Sequence, residues 1–190
     1  QTKGPVQALG ASAVMVGYLL FVYVGFVHFV ERRPASELAV SRLGRELGAG
    51  VLLGAGLYTG CVLIAMALGL YRIDGLNDWR GLLSGLWAAP LAPVFEELVF
   101  RGALFRIVEE VFGGWIALVV SSLVFGLVHM SNDGESFVGI ASIVIVFGPM
   151  LAAPFMLTRR LWVGIGLHFG WNFTMGKIFS GSVSGNGASH

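Results

Sequence analysis

The chain has 190 residues, of which 56% are hydrophobic and only 12% are charged, and its mean hydropathy is +0.80. Soluble globular domains carry roughly 25% charged residues, so this composition excludes an ordinary soluble domain and indicates an integral membrane protein. The net charge of +1 is spread along the chain without a basic patch or tail, which argues against nucleic acid as a partner.

Six apolar stretches approach the length of about 20 residues that an α-helix needs to cross a bilayer. They run over residues 8–30, 48–70, 81–105, 114–130, 137–158 and 161–180. The sequence therefore predicts an all-α fold, a polytopic transmembrane helical bundle of about six spans. We expect one domain over residues 1–180, with a motif-bearing core over 81–180, and a flexible Gly- and Ser-rich tail over 181–190.

The segment between the first two stretches, residues 31–47, carries four arginines and three glutamates around an intermittent apolar stripe. This pattern predicts an amphipathic helix that lies at the membrane interface after Pro34. The chain has a single cysteine, Cys61, which lies in an apolar run. A single cysteine excludes an internal disulfide and a cysteine-based metal cluster.

Glycines four residues apart recur in the apolar stretches and predict close helix packing. The pairs are Gly50 with Gly54, Gly56 with Gly60, and Gly166 with Gly170. Generic packing is the favoured interpretation of the first two pairs, whereas the third flanks His168.

The distribution of arginine and lysine predicts an orientation if the six stretches alternate across the membrane. One side receives Arg32, Arg33, Arg42, Arg45, Arg106, Arg159 and Arg160, and the other receives Lys3, Arg72, Arg80 and Lys177. The first side is therefore expected to be cytoplasmic, with both termini outside.

Polar and titratable side chains within the apolar stretches are candidate functional residues, because burying them in a membrane is costly. They are Glu96, Glu97, Arg101, His129, His168 and Asn172. His28 lies near the end of the first stretch and is interpreted as an interfacial residue.

Two glutamates and an arginine share the stretch PVFEELVFRG, residues 93–102, which is predicted to begin a helix near Pro93. Glu97 and Arg101 are four residues apart, so they share a helix face and are expected to form an ion pair. Glu96 lies about 100° around the helix from Glu97 and is left over, in a position that suits a group that takes and gives protons. A structural ion pair that fixes helix register remains the alternative.

Two later motifs each place a histidine four residues from another notable side chain. Phe125 and His129 are expected on one helix face, and so are His168 and Asn172. An interfacial role for His129 and interhelical hydrogen bonds for His168 and Asn172 are the alternatives.

Together these residues indicate hydrolysis of a peptide bond. Glu96 as general base, with His129 as its partner, would hold and activate a water. His168 and Asn172 would donate hydrogen bonds to the oxyanion of a tetrahedral intermediate. The sequence lacks the HExxH, GxSG and GxGD patterns of the competing zinc, serine and aspartyl intramembrane proteases.

The motifs resemble those of a known family. EELVFR at 96–101 matches EExxxR, FGLVH at 125–129 matches FxxxH, and HFGWN at 168–172 matches HxxxN. In this order they resemble the CAAX-protease and bacteriocin-processing (CPBP, or Abi) family of intramembrane endopeptidases.

The resemblance implies catalytic roles for Glu96, His129, His168 and Asn172, and structural support from Glu97, Arg101 and Phe125. It implies a membrane-tethered or lipidated protein or peptide as substrate, with the lipid bilayer as surroundings, in a multi-pass protein of a prokaryotic cell membrane. We expect no cofactor. Zinc bound by Glu96, His129 and His168 is the alternative, although such a set makes a poor closed zinc site.

The predicted topology places Glu96 and His129 nearer the less basic side of the membrane, whereas cleavage of a CAAX tail requires access from the cytoplasm. Either the number of spans differs by one or the substrate is not a cytosolic tail. A proton-coupled transporter with Glu96 and the histidines as a relay, and a non-catalytic membrane scaffold, are the alternative functions.

Overall fold

The computed structural model describes residues 5–73, 82–83, 85–86, 89–132 and 134–180. These residues form helices, short helical turns and connections, and no strand occurs among them. The predicted tail over 181–190 lies outside the described residues.

Three π-helical segments interrupt or extend the α-helices of the described residues. The α-helices are α1 (Pro5–Phe29), α2 (Leu43–Ala67), α3 (Leu91–Glu97), α4 (Arg106–Phe112), α5 (Gly114–His129), α6 (Phe137–Ser142), α7 (Gly148–Thr158) and α8 (Leu161–Phe173). The π-helical segments are π1 (Leu98–Phe105), which joins α3 to α4, π2 (Ile143–Phe147), which joins α6 to α7, and π3 (Thr174–Ile178), which extends α8. Such π-helical turns occur frequently at functional sites.

Three helical stretches are long and apolar enough to cross a membrane, namely Leu9–Phe29, Ser36–Ala67 and Phe137–Thr158. Gly114–His129 is a shorter apolar helix. Large apolar side chains such as Phe21, Leu52 and Leu157 are more than three-quarters exposed, as lipid-facing residues are. The predicted all-α membrane bundle is confirmed.

The segment over residues 31–47 differs from the predicted interfacial helix. It forms two 3₁₀ turns, Ser36–Leu38 and Val40–Arg42, and α2 begins at Leu43. The reason is that Glu37 is buried, where it accepts hydrogen bonds from Tyr23 Oη at 2.5 Å and from the Arg33 guanidinium at 2.6 and 2.8 Å. Glu37, followed by Glu31, raises the pKa of Arg33 above its usual range. These bonds hold the segment against α1.

Further ion pairs lie beside this segment and join the ends of neighbouring helices. We call the end of the bundle that holds these ion pairs the arginine-rich end. Its interhelical pairs are Glu31 with Arg106, Glu109 with Arg159, and Glu46 with Arg160.

Helix α2 packs on α8 with backbones in direct contact, through glycines on both helices. A Cβ atom on Gly54 would lie 2.1 Å from the Leu167 carbonyl oxygen, and one on Gly170 would lie 2.3 Å from the Val51 carbonyl oxygen. Gly50 and Gly166 are equally tight against the facing backbone. This packing holds α8, and therefore His168, at a fixed depth in the bundle.

The glycine prediction is wrong for Gly56 and Gly60. A Cβ atom on either would meet nothing within 4 Å in the part of the chain that the structure describes. The two residues lie on the face of α2 that points away from α8, so their spacing alone did not reveal which face is packed.

Candidate active site

The two glutamates of the EExxxR motif lie at the end of α3, immediately before the π-helical turn. Glu97 and Arg101 are both fully buried, and Arg101 Nη1 lies 3.1 Å from Glu97 Oε1, as their spacing predicts. Arg101 Nη2 also donates to the Gly148 carbonyl oxygen at 3.0 Å. The guanidinium carbon lies 4.8 Å from the centre of the Phe125 ring, within cation–π range. Arg101 therefore joins π1 to α5 and α7.

His168 lies between the two glutamates. Its Nδ1 atom is 3.0 Å from Glu97 Oε1, and its Nε2 atom is 3.5 Å from Glu96 Oε2. The helix spacing did not predict the Glu97 contact, because it brings together two helices far apart in sequence. Gly164, one turn before His168, leaves room for Glu97, since a Cβ atom there would lie 3.2 Å from Glu97 Oε2.

Several buried polar atoms of this cluster have no hydrogen-bond partner among the described residues. They are Glu96 Oε2, Glu97 Oε2 and Arg101 Nε. Because most buried polar atoms in proteins are paired, such groups are expected where a substrate or water binds. Glu96 differs from Glu97 in that its side chain is 18% exposed.

His129 lies at the end of α5 with its Nδ1 atom 2.7 Å from the Phe125 carbonyl oxygen. A carbonyl oxygen only accepts, so Nδ1 carries the proton, and Nε2 of the neutral ring keeps a free lone pair. The imidazole also packs on the Phe125 ring, with 4.5 Å between centroids, as the FxxxH spacing predicts.

A cleft of about 430 Å³ borders this site. His129 and Asn172 lie on its wall, together with Phe147, Trp171 and Met175, and Glu135 comes from the connection between α5 and α6. Nothing in the sequence marked Glu135 or the cleft's apolar wall, because these residues meet only through tertiary packing.

The predicted site residues therefore occupy two adjoining places. Glu96, Glu97, Arg101 and His168 form a buried cluster, whereas His129 and Asn172 line the cleft. Phe125 contacts both histidine rings, and Phe147 of the cleft wall packs edge-on against His168 at 5.3 Å. The contact that the structure shows for Glu96 is with His168. That Glu96 and His129 hold one water between them stays a prediction.

His28 stands apart from this site. It is exposed at the end of α1, where its ring packs edge-on against Phe29 with 4.9 Å between centroids. This placement agrees with an interfacial residue.

The alternative zinc set of Glu96, His129 and His168 does not form a metal site in this arrangement. No three His, Cys, Asp or Glu side chains of the described residues are grouped closely enough to hold a metal ion. Both ring nitrogens of His168 already face carboxylates. The described residues therefore present no preformed three-ligand zinc site.

Comparison with known families identifies the group to which the chain belongs. Residues 78–174, just over half of the chain, match the family described as Type II CAAX prenyl endopeptidase Rce1-like. All of the predicted site residues fall within the matched range. Searches among curated proteins and among solved structures found no match. The chain is a member of the Rce1-like type II CAAX prenyl endopeptidase family, within the CPBP group that its EExxxR, FxxxH and HxxxN motifs resemble.

Proposed function

We propose that this protein is an intramembrane endopeptidase that hydrolyses a peptide bond of a membrane-associated protein or peptide with water activated by Glu96 and His129. The family match supports the class of reaction. The observation that carries the assignment of residues is the position of His168, with Glu96 and Glu97 on its two ring nitrogens beside a cleft lined by His129 and Asn172.

The charges of the buried cluster suit this chemistry. Arg101 supplies one positive charge, and Glu96 and Glu97 together supply two negative charges when both are ionised. His168 lies between the two carboxylates, with Nδ1 facing Glu97 and Nε2 facing Glu96. Glu96 serves as the base in this scheme, and the His168 ring serves as a hydrogen-bond donor.

Each catalytic group then has a role in one hydrolytic cycle. Glu96 removes a proton from water, His129 orients that water through its free Nε2 lone pair, and the water oxygen attacks the peptide carbonyl carbon. His168 Nε2–H and the Asn172 amide donate hydrogen bonds to the resulting oxyanion. The proton held by Glu96 passes to the leaving nitrogen as the C–N bond breaks.

Glu97 acts in this scheme as a positioning residue for His168. Its Oε1 atom accepts from His168 Nδ1, which fixes the ring orientation. Arg101 in turn holds the Glu97 carboxylate from the opposite side. The wall formed by Phe147, Trp171 and Met175 suits a substrate segment with apolar side chains.

The test is cleavage of membrane-tethered and lipidated peptides by purified protein in detergent. We expect the wild type to cleave and Glu96→Gln and His129→Ala to lose at least about 100-fold in kcat/KM. Glu110→Gln is a matched control, because Glu110 is exposed on α4 and outside the site, and it should cleave normally.

Two results would oppose the proposal. Unchanged activity in Glu96→Gln would remove Glu96 from the chemistry, and no cleavage of any peptide by folded wild type would favour the transporter or the scaffold. A parallel assay with a chelator addresses zinc, and retained cleavage is expected.

A further inference from the structure

We infer that Glu135 is a specificity-determining residue of the cleft, which selects substrates that carry a lysine or arginine side chain close to the scissile bond. This preference rests on the proposed function, since it concerns the substrate of the same site. The position of Glu135 follows from the fold alone.

Glu135 is an acidic side chain on a wall that is otherwise mostly apolar. The other described residues of that wall are apolar or uncharged, apart from the imidazole of His129. Apolar side chains such as Ile143 and Val146 line the same cleft as the Glu135 carboxylate. A lysine or arginine side chain matches this surface, because its aliphatic stem packs on apolar groups while its charged end binds a carboxylate.

The pairing of the other glutamates distinguishes Glu135. Seven glutamates of the described residues are wholly or partly buried. Five of them form ion pairs with arginines, namely Glu31, Glu37, Glu46, Glu97 and Glu109. The other two are Glu96, at the buried cluster, and Glu135, in the cleft.

No ion pair or hydrogen bond joins the Glu135 carboxylate to another described residue. Acidic groups of folded proteins that are taken partly out of water are usually paired. A carboxylate on a cleft wall that no cation of the described chain neutralises is therefore placed to bind a cation of the ligand.

The turn before α6 holds this carboxylate in place. Ser136 is the N-cap of α6, and its hydroxyl accepts from the Gly139 N–H at 3.0 Å. A Cβ atom on Gly139 would lie 2.7 Å from Glu135 Oε2, so the absence of a side chain there makes room for the carboxylate. Gly139 itself lines the cleft. The carboxylate thus lies over the first turn of α6, beside the space that a substrate would occupy.

The depth of the cleft limits where the basic side chain can lie in the substrate. Phe147 packs against His168 at the buried cluster, and Gly139, beside the Glu135 carboxylate, lies eight residues earlier in the same run of helix. At 1.5 Å per residue this separation is roughly 12 Å. An extended peptide covers about 3.3 Å per residue, so the basic residue should lie within roughly four residues of the scissile bond.

The test compares lipidated peptides that carry either lysine or norleucine at one position, scanned over about four residues on each side of the scissile bond. Norleucine keeps the aliphatic stem and removes the charge. We expect kcat/KM of the wild type to favour lysine by about 3–10-fold at the position that reaches Glu135. Added salt should weaken this preference.

Two substitutions of Glu135 and one control assign the preference. Glu135→Gln should abolish it, and Glu135→Lys should reverse it, so that a peptide with glutamate at that position is favoured over one with lysine. Glu110→Gln makes the same chemical change at an exposed residue outside the site and should keep the preference. Equal cleavage of lysine and norleucine peptides at every position, or a preference that persists in Glu135→Gln, would overturn the inference.

Binding to the Glu96→Gln protein separates this result from the test of the proposed function. In that background the lysine peptide should bind about 3–10-fold more tightly than the norleucine peptide, and adding Glu135→Gln should remove the difference. Equal binding of the two peptides would overturn the inference even if the wild type is a protease. Tighter binding of the lysine peptide together with no cleavage by the wild type would oppose the proposed function and leave the role of Glu135 in recognition supported.

Discussion

Glu97 Oε1 lies 3.0 Å from His168 Nδ1, so the second glutamate of the motif holds a histidine of another helix. The same oxygen accepts from Arg101 at 3.1 Å. A chain of contacts therefore runs from the buried Arg101 through Glu97 and His168 to the proposed base, Glu96. Because the two glutamates hold different places in this chain, their replacement should have different effects.

Replacement of Glu97 by Gln should reduce both stability and activity. It removes the charge that compensates the buried Arg101, which we expect to lower the free energy of unfolding by roughly 3–5 kcal/mol. It also releases the His168 ring, so kcat should fall about 10–100-fold in the molecules that remain folded. Thermal unfolding in detergent and cleavage of tethered peptides would measure the two effects, and unchanged kcat would show that Glu97 has only a structural role.

Replacement of Glu96 by Gln should leave stability unchanged. Glu96 Oε2 makes no hydrogen bond in the described parts of the chain, and its contact with His168 Nε2 is long, at 3.5 Å. An amide of the same shape therefore removes little stabilising interaction. The Tm of Glu96→Gln should stay close to that of wild type. A fall as large as that of Glu97→Gln would mean that both glutamates are structural.

The helix contact through Gly54 is a second source of stability. Gly54→Ala places a Cβ atom 2.1 Å from the Leu167 carbonyl oxygen, so α2 must move away from α8 at a cost of roughly 1–3 kcal/mol. Gly56→Ala is the matched control, because nothing lies within 4 Å of its Cβ position. Tm should fall for Gly54→Ala alone, and equal values for the two variants would contradict the packing.

The Tyr23 hydroxyl links α1 to both the Glu37 turn and π1. It donates at 2.5 Å to Glu37 Oε1 and lies 3.0 Å from the Gly102 carbonyl oxygen. Tyr23→Phe should destabilise the protein by about 1–3 kcal/mol, because it leaves buried acceptors with fewer donors. Tyr18→Phe, at a residue 60% exposed, should have no effect. Comparable losses of Tm in both variants would oppose this assignment.

The Phe125 ring supports the site through Arg101 and the two histidines. Phe125→Leu keeps an apolar side chain but removes the ring face under Arg101 and the edges that contact His129 and His168. We expect a loss of roughly 1–2 kcal/mol in stability and a lower kcat. Phe112→Leu, at a residue 62% exposed, is the control, and a Phe125→Leu variant equal to it would contradict the supporting role.

The sequence by itself determined the class of the protein and the short-range geometry of its motifs. Composition and the length of the apolar stretches specify a helical membrane protein. Backbone N–H and C=O groups without hydrogen-bond partners are costly in lipid, and an α-helix pairs these groups within itself. The spacing of four residues brings Glu97 to Arg101 and Phe125 to His129, because neighbours one turn apart on a helix must meet. Both contacts depend only on local backbone geometry.

The tertiary structure alone decided which of these local pairs meet one another. Contacts between helices decide three features that the sequence did not show. They bring Glu97 to His168, and they select the face of α2 that packs on α8. They also make residues 31–47 fold into 3₁₀ turns instead of an interfacial helix. Such contacts follow from backbone approach at Gly54 and Gly170 and from buried charges that find partners on other helices. Helix periodicity carries no information about them, since each helix presents several faces and packing selects among them.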